Sequence, residues 1–179
     1  MKKLTFIIFT LFLNAAFGQN EAEIKIFHRL VILDVNDKIM VVKVENANVW
    51  VTPGFYQTKD ETIQNGLKKL ATSYGIEIEK PKLKGVFLPK REINQEHSTS
   101  LRNVYTAMSK SGMLKKPTGI DEIRWVSVDE ATELITFPHI NVMIKDVLDH
   151  PDLILGGTLR QFKENDSWET EIVEEFYSF

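Results

Sequence analysis

The chain has 179 residues, 43% of them hydrophobic and 26% charged, which is enough apolar material for one domain core and excludes disorder as the main state. Lys and Arg number 22 against 25 Asp and Glu, so the net charge of −3 gives no basic surplus and predicts no nucleic-acid partner, while it leaves a local basic patch open. The chain contains no Cys, which excludes disulfides, thiolate metal sites and cysteine nucleophiles.

Residues 1–18 have the pattern of a secretory signal peptide. Two lysines precede an apolar stretch at residues 4–13, and the small residues Ala16 and Gly18 suit cleavage before Gln19. The apolar stretch is shorter than the roughly 20 residues that span a bilayer. We therefore expect export to the periplasm or the extracellular space, with no stable membrane insertion after cleavage. An uncleaved anchor and a buried first strand are the alternatives.

The first elements after this segment read as a β-hairpin, a short strand and a helix. Apolar, β-branched runs at residues 27–33 and 39–44 flank a polar turn, and residues 49–52 form a further extended piece. Residues 60–74 carry apolar side chains at steps of four, three, one and three, which is the period of an amphipathic helix. Gly75 follows at the expected end of that helix.

The second half predicts further strands and helices in irregular alternation. Strands are expected at 82–88, 103–108 and 122–128, and helices at 129–135 and 141–148. Residues 89–102 read as a polar loop, and the aromatic and acidic residues at 168–179 as an amphipathic end-piece that covers the core. This order predicts an α+β fold, in which a mixed β-sheet is flanked by helices.

The segment from Gly54 to Ile76 resembles the signature of the Nudix hydrolase family. Gly54 and Gly75 take the first and last glycine positions without a gap, and Leu70 and Ile76 take the two aliphatic positions. The hairpin at 29–44 and the segment 121–130 resemble the family's flanking strands. The resemblance implies an α/β/α sandwich with a single Nudix-like domain at residues 24–150, on which a C-terminal extension at 151–179 packs.

The positions that bind metal in that family carry different chemistry here. Its metal-binding glutamates fall on Lys69, Thr72 and Ser73, its arginine on Lys68 and its first glutamate on Asp60. Positions 69, 72 and 73 share one helix face, where carboxylates would bind Mg²⁺, but an ammonium repels a divalent cation and hydroxyls are weak ligands. We therefore expect no metal cofactor and absent or severely reduced metal-dependent catalysis.

The remaining features favour a non-catalytic module that binds an anionic, phosphate-type small molecule. The candidate ligand-binding residues are basic or aromatic: Lys68, Lys69, Lys90, Arg91, Arg102, Phe55 and Tyr56. An ordinary solvated helix face and loop is the alternative interpretation of the basic residues.

Two other functions are compatible with the sequence. The first is a Nudix-type hydrolase of a nucleoside-diphosphate-linked substrate, using Mg²⁺ and a carboxylate outside the signature, with Glu122 the preferred substitute and Asp121, Glu96 and Glu61 the other acids. In it, His97 is the candidate base. The second is an interaction role through Phe55 and Tyr56 or the C-terminal aromatics. A homodimer is expected only by analogy with the fold.

Overall fold

The computed structural model describes residues 24–94 and 96–179, so the predicted signal peptide at 1–18 lies outside the described residues. Within them, ten strands and three helices follow one another along the chain. They are β1 (Lys25–Leu33), β2 (Ile39–Val44), β3 (Val49–Val51), β4 (Gly54–Tyr56), α1 (Ile63–Ser73), β5 (Ile76–Ile78), β6 (Lys82–Ile93), β7 (Glu96–Gly112), β8 (Ile120–Val126), α2 (Val128–Leu134), α3 (Pro138–Asp149), β9 (Leu155–Glu164) and β10 (Ser167–Ser178). No helix in this part of the chain is long and apolar enough to cross a membrane.

The strands form a mixed sheet, as the sequence predicts. Its main order is β10-β9-β6-β7-β1-β2-β3, with β4 beside β1, β8 beside β2 and β5 beside β7. The β1–β7 and β6–β9 pairs are parallel, and the other pairs are antiparallel. With helices packed on the sheet, the fold class is the predicted α+β sandwich.

The alternation of side chains along β1 divides the core between two faces of the sheet. Leu30 and Ile32 pack with Leu67 of α1, and we call this side the α1 face. Val31 packs with Met143 of α3 on the opposite side, which we call the α3 face. Because successive strand residues point to opposite faces, Arg29 of β1 lies on the α3 face, as Val31 does.

The signature helix is confirmed but begins later than predicted. Thr62 is the N-cap, and its side chain accepts a hydrogen bond from the backbone N–H of Asn65 at 3.4 Å. Asp60 and Glu61 therefore precede the helix instead of lying in its first turn. Gly75 has φ +76° directly after the end of the helix, a conformation that favours glycine.

The predicted loop at residues 89–102 is wrong. β6 and β7 continue through it as one long antiparallel hairpin, with pairs such as Arg91↔Ser98 and Ile93↔Glu96. The chain reverses near Asn94, which has φ +49°. The end of this hairpin is polar because its side chains are largely exposed, so it lacks the apolar runs by which strands are recognised.

The C-terminal end-piece is also a strand. β10 pairs with β9, a strand that the sequence did not predict, and β9 runs parallel to β6 in the main sheet. The connecting residues Asn165 and Asp166 both have positive φ, at 48° and 65°, which is the geometry of a two-residue hairpin turn. In the sequence, the Asn-Asp pair between two segments of alternating polar and apolar residues indicates this hairpin.

The elements between these two hairpins are confirmed with shifted ends. Strand β8 stops before Ser127, which caps α2 through a reciprocal pair of hydrogen bonds with Glu130. Helix α3 begins at Pro138, where the missing proline N–H costs no hydrogen bond.

Gly75→Ala tests the junction between α1 and β5. A Cβ at Gly75 would overlap the backbone carbonyl oxygen of Met113, in addition to the strain of φ +76°. We expect the free energy of unfolding to fall by about 2–4 kcal/mol, measured by urea denaturation.

Gly119→Ala is the matched control, because Gly119 has φ +86° but no heavy atom lies within 4 Å of the place that a Cβ would take there. It should lose only the backbone term of about 1–2 kcal/mol. Equal losses in the two variants would contradict the proposed overlap with Met113.

Candidate functional site

The structure distributes the predicted site residues over both faces of the sheet. Lys68 and Lys69 belong to α1, whereas Arg91, Arg102 and Tyr56 line a cleft on the α3 face. The sheet therefore separates the two lysines from the two arginines, and the structure does not bring them into one site.

The neighbouring aromatic residues of β4 are separated in the same way. The ring of Phe55 packs over Gly66 of α1, and its centroid lies 5.1 Å from that of His28. The ring of Tyr56 lies 4.9 Å from Phe27, on the other side. Lys90 is exposed on β6 and does not line the cleft that Arg91 enters.

Two of the three metal positions of the signature are occupied by groups that already have other partners. The Lys69 ammonium forms an ion pair with Glu61, and this pair holds the pKa of Glu61 below its usual value. The Ser73 hydroxyl donates to the carbonyl oxygen of Leu70 at 2.6 Å. Thr72 is exposed on the same helix. A cation and two hydroxyls do not fit Mg²⁺, which requires several oxygen ligands in octahedral geometry.

The acidic residues outside the signature do not replace the missing metal ligands. Glu122 lies on β8 and pairs with Arg124 at 2.6 Å, and it lines neither the cleft nor the outer side of α1. Across residues 24–94 and 96–179, no cluster of three or more His, Cys, Asp or Glu side chains is placed to hold a metal ion. The expectation that the protein has no metal cofactor stays a prediction.

The cleft on the α3 face is lined by several basic residues and we call it the arginine cleft. Its volume is about 720 Å³, within the usual range for small-molecule sites. Among its lining residues, six are cationic or carry an imidazole: Lys25, Arg29, Arg91, His97, Arg102 and His139. No carboxylate of the described residues lines it.

Cross-strand register places the residues of this cleft. Phe27 of β1 is opposite Arg102 of β7 on one side and Tyr56 of β4 on the other. The guanidinium of Arg102 lies 4.5 Å from the Phe27 ring centroid and 5.6 Å from that of Tyr56. Arg91 of β6 is opposite Gln161 of β9. Cationic side chains thus lie over aromatic rings, an arrangement that stabilises them without neutralising their charge.

Arg29 is the buried centre of the cleft, and it is not among the residues that the sequence predicted. Only 4% of the residue is exposed, and its Nη1 donates to the carbonyl oxygen and the hydroxyl of Thr52 at 3.0 and 2.8 Å. Its Nε has no hydrogen-bond partner. Burial, and then repulsion by Arg102, lower the pKa of Arg29 to about 9, so it stays cationic at neutral pH. The available signal was a charged residue within the largely apolar run at residues 27–33 of β1.

His139, in the first turn of α3, is the second buried group that the sequence did not predict. It is 5% exposed, and its Nδ1 has no hydrogen-bond partner. Burial is the main cause that lowers the pKa of His139 to about 3, followed by repulsion from Arg29, Arg102 and Arg91. The imidazole is therefore neutral at pH 7, because a further charge beside three arginines is unfavourable.

The buried His139 predicts that stability falls in mild acid. Its folded pKa of about 3 lies below the unfolded value of 6.5, so below pH 6.5 the unfolded chain binds the proton more tightly. The free energy of unfolding should therefore decrease as pH falls, by up to about 1.4 kcal/mol per pH unit from this residue. His139→Phe should reduce the slope between pH 6.5 and 5, measured by denaturation at fixed pH values.

His97→Phe is the control, because the His97 side chain is 72% exposed. It should change the slope less than His139→Phe does, since its side chain is not buried, and carboxylates contribute little above pH 5 because their ordinary pKa values lie below it. An unchanged slope in His139→Phe would show that His139 is not held neutral by its surroundings.

Comparison with known proteins gives similarity at the level of structure only. No family model and no curated protein matches the sequence. The fold is similar to a MutT protein from Bacillus halodurans, with TM-score 0.67 and 22% identity over 83% of this chain and 98% of that one.

Two further solved structures give the same result. A NUDIX hydrolase from Nitrosomonas europaea has TM-score 0.59 and 19% identity over 72% of this chain and 90% of that one. An ADP-ribose pyrophosphatase from Streptococcus suis has TM-score 0.53 and 12% identity over 79% and 100% of the two chains. At these identities the similarity establishes the fold and not the activity. The chain has the Nudix fold.

Proposed function

We propose that the protein is a non-catalytic Nudix-fold binding module that holds a small anionic molecule in the arginine cleft. The observation that carries this proposal is the distribution of partners among the arginines. Arg124 and Arg160, which lie outside the cleft, pair with glutamates. Arg29, Arg91 and Arg102 have no carboxylate partner among the described residues. An anionic ligand would supply the missing negative charge.

Among these three arginines, Arg29 is the most buried and therefore has the highest desolvation cost. A buried charge without a counter-charge is strongly unfavourable, and proteins retain such groups chiefly at functional sites. Arg29 is buried, and its repulsion by Arg102 lowers its pKa further. A bound anion would reduce both the desolvation penalty and this repulsion, so the cleft favours an anionic occupant over water.

The chemistry of α1 supports binding without hydrolysis. Lys69 and Ser73, at positions where the Nudix signature has metal-binding glutamates, are already engaged with Glu61 and with the Leu70 carbonyl. Glu122, the preferred substitute acid, pairs with Arg124 on β8. No observation on the described residues favours the hydrolase alternative, and we do not propose it.

The remaining expectations about cellular context stay predictions. They are export after cleavage of residues 1–18, the absence of a nucleic-acid partner, and a homodimer. An exported binding module that needs no metal would be consistent with all three.

The first test is anion binding measured by calorimetry, with inorganic phosphate, pyrophosphate and phenyl phosphate as probes. At least one probe should bind, and Arg91→Ala and Arg102→Ala should each weaken it about tenfold, because each loses a charge-assisted hydrogen bond. Rising salt should weaken binding, and EDTA should leave it unchanged.

Arg124→Ala is the matched control, since it removes a guanidinium outside the cleft. An equal loss in Arg124→Ala, or binding that requires a divalent cation, would contradict the proposal.

The second test is hydrolysis of ADP-ribose and other nucleoside-diphosphate-linked compounds with Mg²⁺ or Mn²⁺. We expect no metal-dependent release of phosphate or nucleoside monophosphate above the background without protein. Metal-dependent release that Glu122→Gln abolishes would instead establish the hydrolase alternative, with Glu122 as its substitute acid.

A further inference from the structure

We propose that the ligand is an organic oxyanion, a carboxylate or phosphate ester with a flat apolar body, and that Arg29 binds two oxygens of its anionic group. This inference rests on the proposed function, since it specifies the ligand class and the contact within the same cleft. Arg29 makes the specific contact with the ligand. The more exposed Arg91 and Arg102 contribute general electrostatic attraction.

The Arg29 guanidinium has an unused edge. Thr52 accepts two hydrogen bonds from Nη1, which fixes the plane of the group. Nε has no partner, and no described residue accepts a hydrogen bond from Nη2. The N–H groups of Nε and Nη2 point in parallel along one edge, a spacing that matches two oxygens of one carboxylate or phosphate. An edge with these two donors free has the geometry to bind one oxyanion.

The N-terminal end of helix α3 opens onto the same cleft. This helix has 12 residues, and its N-cap Phe137 provides no side-chain hydrogen bond to the first turn. His139 and Ile140 of that turn line the same cleft as Arg29. The N-terminus of a helix carries partial positive charge, which favours an anion. His139, a lining residue, also has a buried Nδ1 without a hydrogen-bond partner.

The apolar lining of the cleft indicates the body of the ligand. Phe27, Tyr56 and Phe137 contribute rings to the cleft. Phe27 and Tyr56 meet edge to face, and Phe137 lies 5.9 Å from the His139 ring. A volume of about 720 Å³ with aromatic walls is suited to an organic anion, since an inorganic ion would leave most of it to water.

The groove beside α1 lacks these features. Lys68, Lys80 and Lys115 line it, but so do the carboxylates of Glu77 and Glu79. Its lining includes none of the buried side-chain atoms without a hydrogen-bond partner that the described residues contain. The oxyanion contact is therefore assigned to the α3 face.

The test combines calorimetry with NMR of the arginine Nε–H groups, using benzoate, phenyl phosphate and inorganic phosphate as probes. The two organic anions distinguish carboxylate from phosphate recognition, and at least one of them should bind more tightly than inorganic phosphate. Arg29→Lys keeps the charge and loses the two parallel N–H donors. It should therefore weaken the binding of the preferred organic anion about tenfold or more. In the wild-type protein, the Arg29 Nε–H signal should shift on addition of that anion.

The outcomes separate this inference from the proposed function. Binding that Arg91→Ala and Arg102→Ala weaken but Arg29→Lys does not, with an unshifted Arg29 signal, overturns the inference and leaves the proposed function intact. Binding of none of these probes overturns the inference, and if pyrophosphate does not bind either, the proposed function is overturned as well. If Arg29→Lys does not fold, the wild-type NMR signal decides alone, with a shift in support and its absence against.

Discussion

The hydrogen bonds from Arg29 to Thr52 hold a buried positive charge in the sheet, and the ligand preference that we propose for the cleft depends on them. They fix Nη1 against the chain just before β4 and leave Nε without a partner. Arg102 and Arg91 add charge around this buried group, and His139 is kept neutral by burial and by the same field. Because a buried charge is costly without a counter-charge, the cleft is organised for a partner that the described chain does not supply.

Successive residues of a strand lie on opposite faces of the sheet and therefore have different surroundings. Phe55 packs against α1, whereas Tyr56 borders the arginine cleft. Leu30 belongs to the core under α1, and Arg29 faces α3. The α1 face carries the signature helix with its altered metal positions, and the α3 face carries the unpaired arginines. The Nudix fold is thus retained by packing, while the chemistry that favours a ligand lies where the arginines converge.

Much of the fold could be predicted, because its signals are local. The spacing from Gly54 to Gly75 and the period of the helix between them are properties of one short segment. The arginine cleft is different, because parallel pairing of β1 with β7 brings Phe27 beside Arg102 across 75 positions in the sequence. Arg102 and Arg91 could be chosen from their charge, but their placement relies on a hairpin whose polar strands read as a loop. Arg29 was not predicted, because its place in the strand does not reveal that it is buried with Thr52 as its partner.

The central claim is that the oxyanion site lies on the α3 face at Arg29. The most direct measurement is a crystal structure of the protein soaked in sodium selenate, with anomalous diffraction recorded at the selenium edge. We predict a selenate peak in the arginine cleft, with oxygens within hydrogen-bond distance of Arg29 Nε and Nη2. A selenate peak beside Lys68 and Lys69 with none in the cleft, or no ordered selenate at Arg29, would contradict this claim.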